Sequence, residues 1–194
     1  MGLTIKKQKD ERVIRAFTHK LADIPDGITV SVKDFTQKKL AEGTPVGKDS
    51  DGLYHIVKVA VLTAAATATA TTYNVQKGHN FKVGDFIMLK EGGKAYAITA
   101  IDTTTNSTND VITVGTTLGV TGAIGDAIYQ AAAESAGTSS KFLYEPKALV
   151  GESYDVEELS NLIVNAWTIG QVKEANIPGI GSAVKAKLPG ISFI

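Results

Sequence analysis

Cysteine is absent from the 194 residues, which removes disulfides, thiolate metal sites and thiol nucleophiles together and leaves the redox compartment open. Charge of one sign is also missing. Twenty Lys and Arg balance twenty Asp and Glu, so no global field draws the chain to nucleic acid or to an anionic membrane. The same balance does little to oppose self-association. No apolar run approaches the roughly 20 residues of a membrane-spanning helix. The start, MGLTIKKQKDERVIRAF, alternates charge with short apolar pairs and has no apolar core of the signal-peptide kind. A soluble protein made inside the cell is expected, with no nucleic acid and no membrane among its partners.

Catalytic patterns are missing too. His19, His55 and His79 are widely separated and carry no metal-ligand spacing. His55 lies in an apolar stretch, where a hydrogen-bonded or edge-facing side chain is the expected role. Gly179-Ile180-Gly181 continues into neither a dinucleotide nor a phosphate-loop pattern and reads as a turn before a short helix. Ser153 and Ser160 have no histidine nearby to activate them, and Glu157 and Glu158 suit a solvated face. The expectation is a non-enzyme without cofactor or metal.

What is present is a folding chain: 43% of residues are apolar and 21% charged, far from the signature of disorder. Two stretches of small residues, TAAATATATT at 63–72 and AAAESAGTSS at 131–140, interrupt it and read as extended linkers, because alternating threonines disfavour a helix. Between them, strands are expected over Val83–Lys90, Ala95–Asp102, Asp110–Gly115 and Ala123–Gln130, with Glu91-Gly92-Gly93-Lys94 as a hairpin loop. Gly84-Asp85 and Gly125-Asp126 read as equivalent turns opening two strands of a barrel.

Outside this region, Ile28–Val32, Leu53–Leu62, Phe142–Val150 and Asn161–Ile169 are strand-like, and Asp155 with Glu158 suggests a capped helical turn over Val156–Leu159. The fold class predicted is mainly β. An outer β-rich domain, residues 1–62 and 139–194, is built from both chain ends and carries an inserted small barrel-like module at 63–138. Loop tips tolerate such insertions. The module is expected to be separable by proteolysis at the two small-residue stretches, and the chain to self-associate.

One segment is locally basic. Lys6, Lys7, Lys9, Arg12, Arg15 and Lys20 face only Asp10 and Glu11, with Val13, Ile14 and Phe17 interspersed. A nucleic-acid tail is more continuously basic. The pattern predicts a docking arm in which Lys6, Lys7, Arg12 and Arg15 steer encounter and Val13, Ile14 and Phe17 supply burial. Removal of residues 1–20 is expected to abolish docking and spare the fold.

Two stretches carry a resemblance. LAEGTPVGKDSDGLYHIVKV at 40–59 resembles a segment of phage head decoration proteins, in which Gly, Pro and Gly lead into a strand. VEELSNLIVNAWTIGQVKEANIP, followed by SAVKAKLPGISFI, is similar to the ends of head fiber proteins of tailed phages, especially those of gut Bacteroidetes, with a strand, a Gly170–Val172 step, a closing helix and an LPxIxF tail. The resemblance covers the outer half of the chain. It implies a structural virion protein on the outer capsid surface, made in the host cytoplasm. Such a protein contacts the major capsid protein and sibling subunits, with a trimer favoured, and serves as the possible base of a head fiber with the module projecting outward. The alternative is a stand-alone β-barrel binding module for a cell-surface glycan, which needs exposed aromatics on one face.

Overall fold

The computed structural model describes residues 15–157 and 160–194. It is mainly β, with sixteen strands among the described residues. The first sheet takes β1 (Phe17–Asp23), β2 (Ile28–Val30), β4 (Pro45–Lys48) and β5 (Tyr54–Ile56) from the start of the chain. From its end come β12 (Pro146–Val150), β14 (Leu162–Val164), β15 (Ala166–Val172) and β16 (Ile191–Phe193). A short pair joins β3 (Lys39–Leu40) to β13 (Tyr154–Asp155). The outer body is therefore built from both chain ends, as the sequence predicts.

The order of the first sheet is β1-β15-β12-β4-β5-β2-β14, with β16 parallel to β15. Because β1 runs on into β2 and β14 into β15, residues 17–30 lie antiparallel to residues 162–172 along a continuous ribbon. The Ile24 N–H, donating to the Ala166 carbonyl at 2.9 Å, joins its two halves. The ribbon pairs with β12 near one end and β5 near the other, so the sheet curls back on itself around Ile28, Val30, Val46, Ile56, Ala148, Val150 and Val164.

The second sheet contains β6 (Val59–Val61), β7 (Thr72–Gln76), β8 (Phe86–Met88), β9 (Tyr96–Asp102), β10 (Asn109–Val114) and β11 (Ala127–Gln130), in the order β6-β11-β8-β9-β10-β7. A bridge from Leu62 to Val75 joins its first and last strands and closes a small barrel. The hairpin over residues 91–94 forms between β8 and β9.

The two Gly-Asp steps open β8 and β11 through the same bonds. Asp85 Oδ2 accepts the Lys82 N–H at 2.9 Å, and Asp126 Oδ2 accepts the Ala123 N–H at 2.8 Å. The glycines sit at φ +94° and +92°, which only a residue without Cβ adopts easily. The Ile98 N–H donates to the Asp85 carbonyl as the Leu62 N–H does to that of Asp126. KVGDFIM and AIGDAIY are thus two copies of one local structure, and the barrel has an internal two-fold likeness.

Several expectations need correction. The run Leu53–Leu62 is two strands: the chain leaves the first sheet at Ile56 and enters the barrel at Val59, so the barrel draws on residues before 63. The small-residue stretches are held in the fold. The Thr63 N–H donates to the Asn74 carbonyl at 2.9 Å, Ala66 bridges Gly122, Ala131 bridges Phe142 and Ser135 bridges Ala95. Strand β7 begins where a linker was expected. The strand at Ile28 ends at Val30, and Val32–Asp34 forms a 3-10 turn. Asp155 is in β13 and caps no helix, while Glu158 and Leu159 of the expected turn lie outside the described residues.

Among the described residues the longest helix is α1 (Ser182–Ala186), after the Gly179-Ile180-Gly181 turn, and no helix is long and apolar enough to cross a membrane. One apolar cluster crosses the seam between the two sheets. It takes Phe17, Leu149 and Val172 from the first, Met88, Ala127 and Tyr129 from the barrel, and Val184 and Leu188 from the C-terminal segment.

Candidate functional site

The densest buried polar chemistry lies at this seam. Lys58, between β5 and β6, is carried inward because its neighbours Val57 and Ala60 must both face apolar clusters. Its ammonium donates to Asp85 Oδ2 at 2.8 Å, and its side chain is 3% exposed. Gln130 Nε2 donates to the other Asp85 oxygen at 3.2 Å, so strands β8 and β11 meet the seam at one carboxylate.

His79 follows β7 on a turn and is also buried. Its Nδ1 accepts the Phe81 N–H at 3.2 Å, which leaves the proton of the neutral ring on Nε2, 3.4 Å from Asp110 Oδ2. Lys77 holds the other Asp110 oxygen at 2.7 Å. The same turn clasps the outer body: the Asn80 side-chain oxygen accepts the Thr36 N–H at 2.9 Å, the His79 carbonyl accepts the Thr36 hydroxyl at 3.2 Å, and Lys82 Nζ donates to the Lys33 carbonyl at 2.7 Å.

Two adjoining cavities open here, each of about 80 Å³, sharing Val59, Gly78, His79, Pro178 and Gly179. A drug-sized ligand needs roughly 300 Å³ or more. They have room for a few waters, and His79 Nε2, on the lining of both, is buried without a hydrogen-bond partner and is a group that such a water would meet. The cluster is a fastening between the two bodies.

Burial holds the His79 ring below its usual value of 6.5. The Asp110 charge works the other way, and Lys58 and Lys77 add to the lowering. The folded protein therefore binds fewer protons than the unfolded chain in the window below 6.5, so stability falls as pH drops into it. A lower melting temperature at pH 5 than at pH 7 is expected, and His79→Gln should flatten that difference. An equal slope in the variant would assign it to another group. Asp49 titrates outside this window: desolvation raises its pKa, but hydrogen bonds from His55 and from the Leu53 and Asp51 N–H groups outweigh it and hold the carboxyl below 3.8.

His55 lies apart from this seam cluster. Asp34 Oδ2 lies 2.6 Å from its Nδ1 and Asp49 Oδ2 3.1 Å from its Nε2, while Tyr144 stacks on the ring at 4.0 Å between centroids. Both nitrogens face carboxylates and neither is open to a ligand. Among the described residues no group of three or more His, Cys, Asp or Glu side chains is placed to hold a metal ion. The hydrogen-bonded role expected for His55 is the one found. The sequence reading missed its partners, and it missed the Lys58–Asp85 pair, for which a lysine in the middle of an apolar run was the available signal.

Of the arm residues, Lys6, Lys7, Arg12, Val13 and Ile14 lie outside the described residues. Arg15 is exposed, and its carbonyl accepts the Asn176 side-chain amide at 2.9 Å. Phe17 is different. It is 8% exposed and packs 6.4 Å from Trp167 in the shared core, so its ring is not on a docking surface. The Ala16 and Phe17 N–H groups donate to Glu42, which fixes the point where the arm joins β1. A deletion that spares the fold must therefore end before residue 15, not at 20.

No family model matches the chain, and neither the curated proteins nor the solved structures contain a significant match to it.

Proposed function

We propose that this chain is a structural protein that works by binding another protein's surface, and that it decorates the outside of a phage head by contact with the major capsid protein. The observation that carries the binding reading is how the polar groups are spent. The His55 cluster and the Lys58–Asp85 pair are consumed in fastening the fold; the cavities beside Lys58 and His79 hold about 80 Å³ each, and the larger ones, of about 380 and 310 Å³, are lined by none of these groups. Apolar side chains, by contrast, stand in solvent on the strand that follows the arm and on its neighbour: Leu21 on β1 is 73% exposed and Ile169 on the adjoining β15 is 45% exposed. Exposed aliphatics on the strand that a basic segment leads into suit a partner that combines steering charge with apolar burial. The capsid assignment rests on the resemblance at 40–59 and 156–194.

The glycan-binding alternative needs aromatic rings on a surface. Of the six Phe, six Tyr and one Trp, five are buried and eight half-buried, and none stands fully in solvent, which favours the protein-binding reading.

The test is occupancy on heads built from the cognate capsid protein. Deleting residues 1–14 should abolish co-sedimentation while the circular dichroism and melting of the protein stay unchanged. Neutralising Lys6, Lys7, Arg12 and Arg15 should weaken binding chiefly at low salt, where exposed charges are least screened. Wild-type occupancy after the deletion would overturn the arm as the attachment device.

A further inference from the structure

We propose that the paired cavities at the seam form a binding site for a small inorganic anion, between chloride and phosphate in size, held by the Nε2–H of His79. This goes beyond the capsid reading and is tested on the chain alone.

His79 is the group that points to a ligand. Its side chain is 5% exposed, it lines both cavities, and its Nε2 is buried without a hydrogen-bond partner. Leaving a buried donor unmade is costly, so such an atom marks a place where something else completes the bond. Because Nδ1 accepts the Phe81 N–H, the neutral ring carries its proton on Nε2. That nitrogen donates and offers no lone pair, which excludes a cation. The ligand has to be an acceptor.

The charge around the cavities favours an anion over a neutral acceptor. Lys39 and Lys58 line the first cavity and Lys77 the second, and among the described residues no Asp or Glu lines either. Two of these lysines are held by carboxylates outside the lining, Lys58 by Asp85 at 2.8 Å and Lys77 by Asp110 at 2.7 Å. Asp110 Oδ2 also lies 3.4 Å from Nε2 and opposes an anion there, and the Lys77 ammonium on its other oxygen offsets that charge. Asn80 brings a further donor to the first cavity. Its side-chain oxygen accepts the Thr36 N–H at 2.9 Å and the Gln37 N–H at 3.3 Å, so the nitrogen is the end of the amide left to donate. Val59 and Pro178, on the wall common to both cavities, keep the surroundings apolar, where a bond to a charged acceptor is strongest.

Size sets the class. At about 80 Å³ each, the two spaces admit a halide or a single oxyanion and not a nucleotide or a sugar phosphate. The bound anion touches both bodies, since His79 and Asn80 sit on the barrel turn that clasps Thr36, while Lys39 belongs to the outer body. It therefore tightens the fastening.

The experiment titrates the full chain with sodium phosphate and, separately, with sodium chloride, at constant ionic strength made up with gluconate, an anion too large for the cavities. Nitrogen-15 spectra of the imidazoles follow His79 against His55, whose two nitrogens already face carboxylates. With at least one of the two anions the His79 Nε2 signal should shift saturably in the millimolar range while that of His55 holds. The melting temperature should rise along the same curve, because a ligand of the folded state stabilises it by mass action. His79→Asn keeps an acceptor near the place of Nδ1 and loses the Nε2 donor, whereas His79→Gln carries an amide N–H toward the place of Nε2. The Asn variant should raise the dissociation constant by about tenfold or more, and the Gln variant should retain most of the binding. Melting in gluconate alone checks that each is folded, and the wild-type spectra decide the matter if either is not. A His79 signal that stays still, or drifts without saturating in both salts, would mean that water alone fills the cavities and would overturn the proposal. So would an equal, saturable gain in melting temperature for His79→Asn and the wild type.

Discussion

Asp85→Ala is expected to lower the stability of this protein by about 3–5 kcal/mol, the usual cost of stranding one member of a buried ion pair. Lys58 is 3% exposed at its side chain and, among the described residues, pairs with no second carboxylate, so the variant leaves an ammonium inside the seam without its counter-charge. The same carboxylate also accepts the Lys82 N–H that closes the turn before β8, and the Gln130 amide from β11. Three groups on three segments lose their acceptor at once. Replacing both charges, as in Lys58→Met with Asp85→Ala, should recover much of the loss, because an apolar side chain in that place has no charge to desolvate. Chemical denaturation of the two single variants and the double variant gives the coupling energy directly. The surface pair Lys187–Glu91 provides the contrast: at 3.3 Å and about a third exposed on each side, its removal should cost under about 1 kcal/mol. An Asp85→Ala cost no larger than that of Glu91→Ala would mean that Lys58 finds water when its partner is gone.

The β class and the two-ended outer body were legible because alternation and turn chemistry are local. Asp110 to Val114 alternates buried and half-buried residues as a strand between two neighbours must, and the twin Gly-Asp turns name their own conformation. What escaped the reading depends on partners far away in the chain. Nothing in LYHIVKVAVL marks a break, since every residue but Lys58 suits a strand. The chain changes sheets there because β5 pairs with β4 while β6 pairs with β11, some seventy residues on. Phe17 looked like part of a basic arm because its neighbours are charged, yet the strand it begins pairs with β15 at the opposite end of the chain. Strand β7 was hidden by the threonines that precede it. Only Tyr73 and Val75 face inward, too few for a period to show. The polar clusters were illegible for the same reason: His79 meets Asp110, and His55 meets Asp34 and Asp49, only after loops have closed.

Tyr129→Ala is expected to destabilise both bodies together, and this decides whether the barrel is a separable module. Tyr129 is 2% exposed in β11. Its ring meets Phe142 edge to face at 5.3 Å, and its hydroxyl accepts the Ala183 N–H at 3.2 Å where α1 begins. Gly181 lies so close that a Cβ there would overlap the hydroxyl, so the C-terminal segment is fitted to this side chain. Truncating a buried aromatic costs about 3–5 kcal/mol, because the space it leaves is only partly refilled. For a chain of this length that shifts the melting temperature by on the order of 10 °C. The cluster Tyr129 occupies also holds Phe17, Leu149 and Val172 of the outer body, so the loss should be felt on both sides of the seam. Trp167 is the single tryptophan and lies in β15, and its fluorescence therefore reports the outer body, while amide exchange at Val75, Ile98 and Ile112 reports the barrel. In the wild type and in the variant the two probes should lose structure at one denaturant midpoint, and proteases should spare the stretches at 63–72 and 131–140 below it. Separate midpoints, or cleavage at both stretches with release of a resistant barrel, would show that the shared cluster is too weak to couple the two sheets.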